Sequence, residues 1–145
     1  MSLWKLRAAD SNDTAFLYSS WLKSYRNYPT MAGIPNTIFY DQFHKVITSI
    51  LSRPTSIVIV AHDPADPTTI FGYIVAEVSG DTVAPTLILH WVYIKHSVRG
   101  FGMATDLVKE MTTIPASKIE FSSRNRGIKD PTWVYNPFSL YKGNL

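Results

Sequence analysis

Apolar and polar residues alternate along Leu3-Trp4-Lys5-Leu6-Arg7-Ala8, which predicts a short first strand. Asp10 or Ser11 is placed to cap the helix that follows. Phe16, Leu17, Trp21, Leu22 and Tyr25 then recur at helical spacing, one apolar face, with Pro29 just beyond. Residues 30–36 hold Gly33 and Pro35 and read as a loop. Ile38, Phe39, Phe43, Val46, Ile47, Ile50 and Leu51 give the clearest helical period in the chain. Asn36 or Thr37 is its expected cap, and it ends before Pro54.

The pattern then changes from helical to extended. Residues 56–61 are a β-branched apolar run, expected as a strand buried on both faces. Two aspartates and two prolines make residues 63–67 a turn. Residues 70–78 and 86–94 are further strands, separated by a turn at Ser79-Gly80-Asp81. Residues 95–101 form a loop. Met103, Leu107, Val108 and Met111 then mark a helix face closed by Pro115, and residues 118–122 another strand. Beyond Ser123 the signal weakens, and Trp133-Val134-Tyr135 is the candidate for a last strand. The order β-α-α-β-β-β-α-β plus a tail predicts a mixed α/β or α+β fold, with residues 1–145 as a single domain.

Composition narrows the class. Of 145 residues 46% are hydrophobic and 13% aromatic, which excludes a disordered chain. Cysteine is absent, so no disulfide framework, thiolate nucleophile or thiolate metal site can form. That absence and the lack of a signal-peptide pattern favour the cytoplasm. No apolar stretch approaches the roughly 20 residues of a membrane span. His44, His62, His90 and His96 lack metal-ligand spacing, so no metal is expected. The net charge of +3 says little about partners. The last third is the more basic, through Arg99, Lys109, Lys118, Arg124, Arg126 and Lys129. The cluster is too thin for a nucleic-acid surface and suits a small anionic ligand better.

The chemistry concentrates where a strand ends, two glycines follow and a helix begins: His90-Trp91-Val92-Tyr93-Ile94-Lys95-His96-Ser97-Val98-Arg99-Gly100-Phe101-Gly102-Met103-Ala104. Glycines permit a tight turn and close backbone approach. A helix start offers unpaired N–H donors and a positive dipole end. Together these make a phosphate or pyrophosphate cradle. The Gly-Lys-Ser/Thr of a P-loop and the three glycines of a dinucleotide fingerprint are both missing.

Arg99-Gly100-Phe101-Gly102-Met103-Ala104 resembles the Arg/Gln-x-x-Gly-x-Gly/Ala signature of the GNAT superfamily of acyl-CoA-dependent N-acyltransferases. The flanking strand and helix and the element order over residues 3–122 fit the same family; residues 123–145 diverge from it. The resemblance implies a mostly antiparallel sheet of about six strands, splayed at the cofactor strand and flanked by three to four helices. It implies acetyl-CoA as cosubstrate, with its pyrophosphate on the amides of Gly100, Phe101, Gly102, Met103 and Ala104, beside Arg99. Its pantetheine arm would run along Val92, Tyr93 and Ile94, with a backbone N–H near Val92 polarising the thioester carbonyl.

Acyl transfer to an amine also needs a base, and Glu77 and His90 are the candidates. The family's late acid pattern, near Asn-x-x-Ala-x-x-Leu-Tyr-x-Lys, is matched only in pieces. Asn125 follows the late strand and is assigned to the cofactor. Leu140-Tyr141-Lys142 supplies Tyr141 as acid, with Tyr135 as the fallback. The family's last helix therefore reads as shortened or replaced. The resemblance implies a primary amine of a small molecule or protein as acceptor, with its pocket shaped by the segment from Tyr25 to Asp41, including Tyr28, Met31, Phe39 and Tyr40. The alternative reading is a catalytically inactive GNAT-fold module that binds or packs within a larger assembly. A homodimer fits either reading.

Overall fold

A computed structural model describes residues 2–80, 83–124 and 128–141. Its elements are β1 (Lys5–Ala8), α1 (Thr14–Arg26), α2 (Asn36–Ser52), β2 (Ser56–Asp63), β3 (Asp66–Ser79), β4 (Thr86–Ile94), α3 (Met103–Met111), β5 (Lys118–Phe121) and β6 (Val134–Tyr135). All six strands join one sheet in sequence order. β1 to β4 pair antiparallel, whereas β4–β5 and β5–β6 pair parallel. Parallel pairing needs a crossover, and α3 is the crossover between β4 and β5. This is the mostly antiparallel sheet of six strands that the resemblance implies. No helix among the described residues is long and apolar enough to cross a membrane.

The sheet separates two cores. On one face α1 and α2 pack Leu17, Trp21, Tyr25, Phe43 and Ile47 against Val60, Tyr73, Val75 and Trp91 of the strands. On the other, α3 packs Met103, Leu107, Val108 and Met111 against Ala61, Ile74, Leu87, Leu89 and Val92. The first core is largely aromatic. Trp21 and Trp91 stack at 6.1 Å, and Tyr25 stacks on Phe43 at 4.4 Å. Such offset and tilted ring pairs each add roughly 0.5–1.5 kcal/mol beyond their burial.

Several local features differ from their sequence expectation for identifiable reasons. Asp10 does cap, but it caps a 3-10 turn (Ser11–Asp13) from which α1 continues directly. Asp13 is the reason this turn holds. Its carboxylate accepts from the Asp10 N–H at 2.8 Å and takes both ends of the Arg7 guanidinium at 2.8 and 2.9 Å. Neither Asn36 nor Thr37 caps α2. Pro35 occupies that position, and Asn36 Oδ1 instead accepts from Nε of Arg26 at 2.7 Å. Arg26 also donates to the carbonyls of Met31 and Ile34, so one side chain holds the whole α1–α2 loop. The turn at residues 63–67 is tighter than expected, with Asp63 already paired to Asp66. β2 carries apolar side chains on both faces, although only Val60, Ala61 and His62 within it are fully buried. The late strand ends at Phe121, one residue short.

Gly72 sets the spacing between β3 and the end of β4. A Cβ at this position would meet the Tyr93 carbonyl at 2.5 Å, Ile94 Cδ1 at 2.9 Å and Met103 Sδ at 3.1 Å. Gly33 has nothing within 4 Å of such an atom. Gly72→Ala should therefore destabilise the fold by about 1–3 kcal/mol through overpacking, whereas Gly33→Ala should be close to neutral. Urea denaturation of the two variants checks this, and equal midpoints would contradict it.

Candidate functional site

The site begins with one extra residue in β4. Val75 pairs with Trp91 and Ala76 with Leu89, so His90 is the one extra residue of β4 opposite β3. This is a β-bulge, and it reverses the alternation of the strand. Before it Leu87 and Leu89 face α3; after it Val92 faces α3, while Trp91 joins the α1–α2 core.

β4 and β5 part at the same level. Their ladder runs from Thr86↔Lys118 to Leu89↔Phe121, and the Ser122 N–H adds a bond to the Leu89 carbonyl at 3.0 Å. Beyond it, residues 91–94 of β4 line a cavity of about 630 Å³. The splay that the resemblance implies is thus present at the expected strand.

At the far end of the cavity Gly100 and Gly102 have φ of 89° and 86°. Side chains rarely adopt such backbone, and this is where glycine is required. An added Cβ would meet nothing at either position, so the loop has open space above it. Gly102 caps α3, whose first turn (Met103, Ala104, Thr105) also lines the cavity. Arg99 folds back with Nε donating to the Ile94 carbonyl at 3.0 Å. Arg99 and Lys129 bring two cations to the cavity rim. The Phe101 side chain is exposed and is not among the side chains that line the cavity. The wall opposite β4 comes from Ser24 and Asn27 at the end of α1, and from Tyr28. Asn125 lies outside the described residues.

Glu77 and His90 meet in the sheet interior. His90 Nε2 lies 2.7 Å from Glu77 Oε1, and His90 Nδ1 lies 2.6 Å from Ser122 Oγ. The Glu77 carboxylate also takes Nη1 of Arg53. The Arg53 guanidinium donates onward to the carbonyls of Ser139 at 3.0 Å and Leu140 at 3.3 Å. Glu77, His90 and Ser122 are all buried. Burial pushes the Glu77 carboxyl up, but the hydrogen bond with His90 and the charge of its imidazole, followed by the charge and hydrogen bond of Arg53, overcome it and hold it below the ordinary range. Glu77 is therefore an ionised acceptor, buried rather than facing solvent as an isolated strand carboxylate would.

The tyrosines gather at the C-terminal segment. A 3-10 turn (Pro137–Leu140) buries Leu140 in the aromatic core and leaves Tyr141 half-exposed behind it. Tyr135 stacks under the Arg124 guanidinium at 4.3 Å. Tyr25 is pushed up to about 12, mainly by burial and further by Tyr141 and Tyr135, against the opposing effect of the Ser123 hydroxyl. Tyr25 and Phe39 are core residues and do not wall an open pocket. Of the candidate wall residues only Tyr28 reaches the cavity. Linear pattern gives no hint of Arg53 or Ser122, since one is a single cation before Pro54 and the other a serine at a strand end.

No protein-family model matches this sequence, and no curated relative matches it. Solved structures do. A Pyrococcus furiosus protein assigned as an acetyl transferase superposes with a TM-score of 0.68 at 16% identity, over 88% of this chain and 85% of that one. A GNAT family acetyltransferase from Staphylococcus aureus gives 0.55 at 13% identity, over 93% and 98%. An aminoglycoside acetyltransferase from an uncultured soil metagenomic sample, solved with sisomicin, gives 0.53 at 14% identity, over 85% and 79%. At these identities the likeness is one of fold, and the fold is that of the GNAT acetyltransferases.

The Glu77–Arg53 pair makes a pH-dependent contribution. A carboxyl held low in the folded state stabilises that state at neutral pH, and the contribution is lost as pH falls through the lowered value. Glu77→Gln leaves Arg53 without its counter-charge and should cost about 3 kcal/mol at pH 7. The gap to wild type should narrow as pH drops below the ordinary glutamate range. Urea midpoints across pH measure it, and a gap independent of pH would contradict the ion pair.

Proposed function

We propose that this chain is an acetyl-CoA-dependent N-acetyltransferase that moves an acetyl group to a primary amine of a small molecule or protein. The observation that carries the reading is the coincidence of three features at one cavity. Two strands part, a left-handed glycine loop caps a helix at its end, and Arg99 and Lys129 stand at the rim. A pyrophosphate suits the loop, because the unpaired amides of a helix start and two cations favour an anion there. The open space over Gly100 and Gly102 leaves room for it. A pantetheine arm suits the strand edge at Val92, Tyr93 and Ile94. Acetyl-CoA would supply the activated acyl group as a thioester.

In this reading the chain's own residues orient the reactants and move a proton. The attacking amine must be neutral. We assign His90 as the destination of its proton, with Glu77 fixing the imidazole and Arg53 keeping Glu77 ionised. Tyr141 is assigned as acid toward the departing thiolate. The fold neighbour solved with an aminoglycoside supports a small amine as acceptor. Tyr28 and the end of α1 form the wall such a molecule would meet.

Acetyl-CoA at about 100 times its dissociation constant should stabilise the protein by roughly 2.7 kcal/mol, a shift of several degrees in Tm. Ala104→Asp is the matched control. A carboxylate in the first turn of α3 favours the helix dipole but repels a pyrophosphate. The variant should melt no lower than wild type and show no shift. An equal shift in both proteins would remove the cofactor from this loop.

A further inference from the structure

A second cavity, of about 340 Å³, opens at the other end of β4 from the glycine loop. Leu87 and Leu89 face α3, so the residues between and before them, Ile88 and Thr86, face the opposite side of the sheet. Register places Ser79 of β3 beside Thr86, and Glu120 of β5 beside Ile88. These four side chains line the cavity floor, and Phe138 and Ser139 of the C-terminal segment form its wall. We propose that this cavity is a binding site for a small alkylammonium ligand, held by the Glu120 carboxylate and the ring of Phe138. The site is separate from the acetyl-CoA slot and does not depend on it.

The charge and the ring are brought together by one residue. Asn136 Nδ2 donates to Glu120 Oε1 at 3.0 Å, while Asn136 Oδ1 accepts from the Phe138 N–H at 3.2 Å. The amide therefore fixes the carboxylate and the turn that carries the ring at the same time. Glu120 keeps 12% of its side chain exposed, so its carboxylate is sheltered yet reachable from the cavity it lines. Phe138 is 78% exposed, an apolar ring left at the edge of a carboxylate-bearing cavity. An ammonium uses both, the carboxylate through a charge-assisted hydrogen bond and the ring through its negative face. Hydroxyls of Ser79, Thr86 and Ser139 can accept from the remaining N–H groups. Ile88 offers the alkyl chain an apolar floor. One carboxylate beside an aromatic ring suits an organic cation better than a metal ion, which needs several oxygen ligands.

Two cations already stand nearby. Arg53 donates to the Ser139 carbonyl from behind the wall, and its charge is matched by Glu77. Lys118 Nζ lies 3.1 Å from Glu120 Oε2, and its side chain is 61% exposed. A pair with one partner in solvent is weak and easily exchanged. Lys118 thus acts as a competitor that a ligand ammonium displaces.

Backbone 1H–15N spectra of the full chain, titrated with n-butylammonium, test the site, with n-butanol as the uncharged probe of the same shape. Butylammonium should shift the amides of Gly80, Thr86 and Ser139 saturably, and butanol should not. Glu120→Gln keeps an oxygen for Asn136 but loses the charge, and should weaken binding by on the order of tenfold. Phe138→Leu should weaken it by about two- to fivefold. Lys118→Gln should tighten it, because the competing cation is gone. The last two positions are at the surface, so these variants fold whatever Glu120→Gln does. Equal shifts from butanol, no saturable shift in wild type, or affinity unmoved in both Phe138→Leu and Lys118→Gln would overturn the site. Binding of acetyl-CoA is expected to be unchanged in all three variants, and its absence from wild type would leave the ammonium site standing.

Discussion

The site depends on a single inserted residue. β4 carries one residue more than β3 at His90, and that residue is the centre of a buried polar chain running from Ser122 to Arg53. Polar groups buried this deeply are costly unless each has a partner. Here the partners come from four parts of the chain: the end of α2, β3, β4 and the residue after β5. The same Arg53 guanidinium also takes the Ser139 and Leu140 carbonyls. The bulge thus fixes how β4, the α2 terminus and the C-terminal segment meet.

What the bulge changes is alternation. Without it, a strand that points Leu87 and Leu89 toward α3 would point Trp91 there too. With it, Trp91 stacks on Trp21 in the aromatic core and Val92 turns toward α3. The bend comes where β4 leaves β5, and the cavity opens along the freed stretch. Gly72 lets β3 lie close enough to hold the end of β4 against Met103. The glycine loop and the α3 terminus are placed by that packing.

Much of this was legible in the sequence because it is periodic. Residues 86–94 and the face Met103, Leu107, Val108, Met111 emerge as expected, since each alternates or recurs against one core. The loop from Arg99 to Gly102 was legible for a different reason, because glycine at two positions has a backbone meaning. Local chemistry that depends on distant partners was not legible. Asn36 has the residue type of a cap, yet Arg26 claims its side chain and Pro35 takes the role. Tyr25 and Phe39 looked like a pocket wall, but the aromatic core has first claim on them. Glu77 and His90 were visible as candidates; their joining through Arg53 and Ser122 was not. Those residues are 24 and 32 positions from their partners, and no linear pattern links them.

The central claim is that the gap between β4 and β5 is a slot for acetyl-CoA with its anionic end on the glycine loop. Amide hydrogen exchange with and without acetyl-CoA tests it most directly. The account predicts slower exchange at residues 91–94 and at residues 100–105, with little change on the exposed face of α2. Protection confined to other parts of the chain, or none at saturating acetyl-CoA, would contradict it.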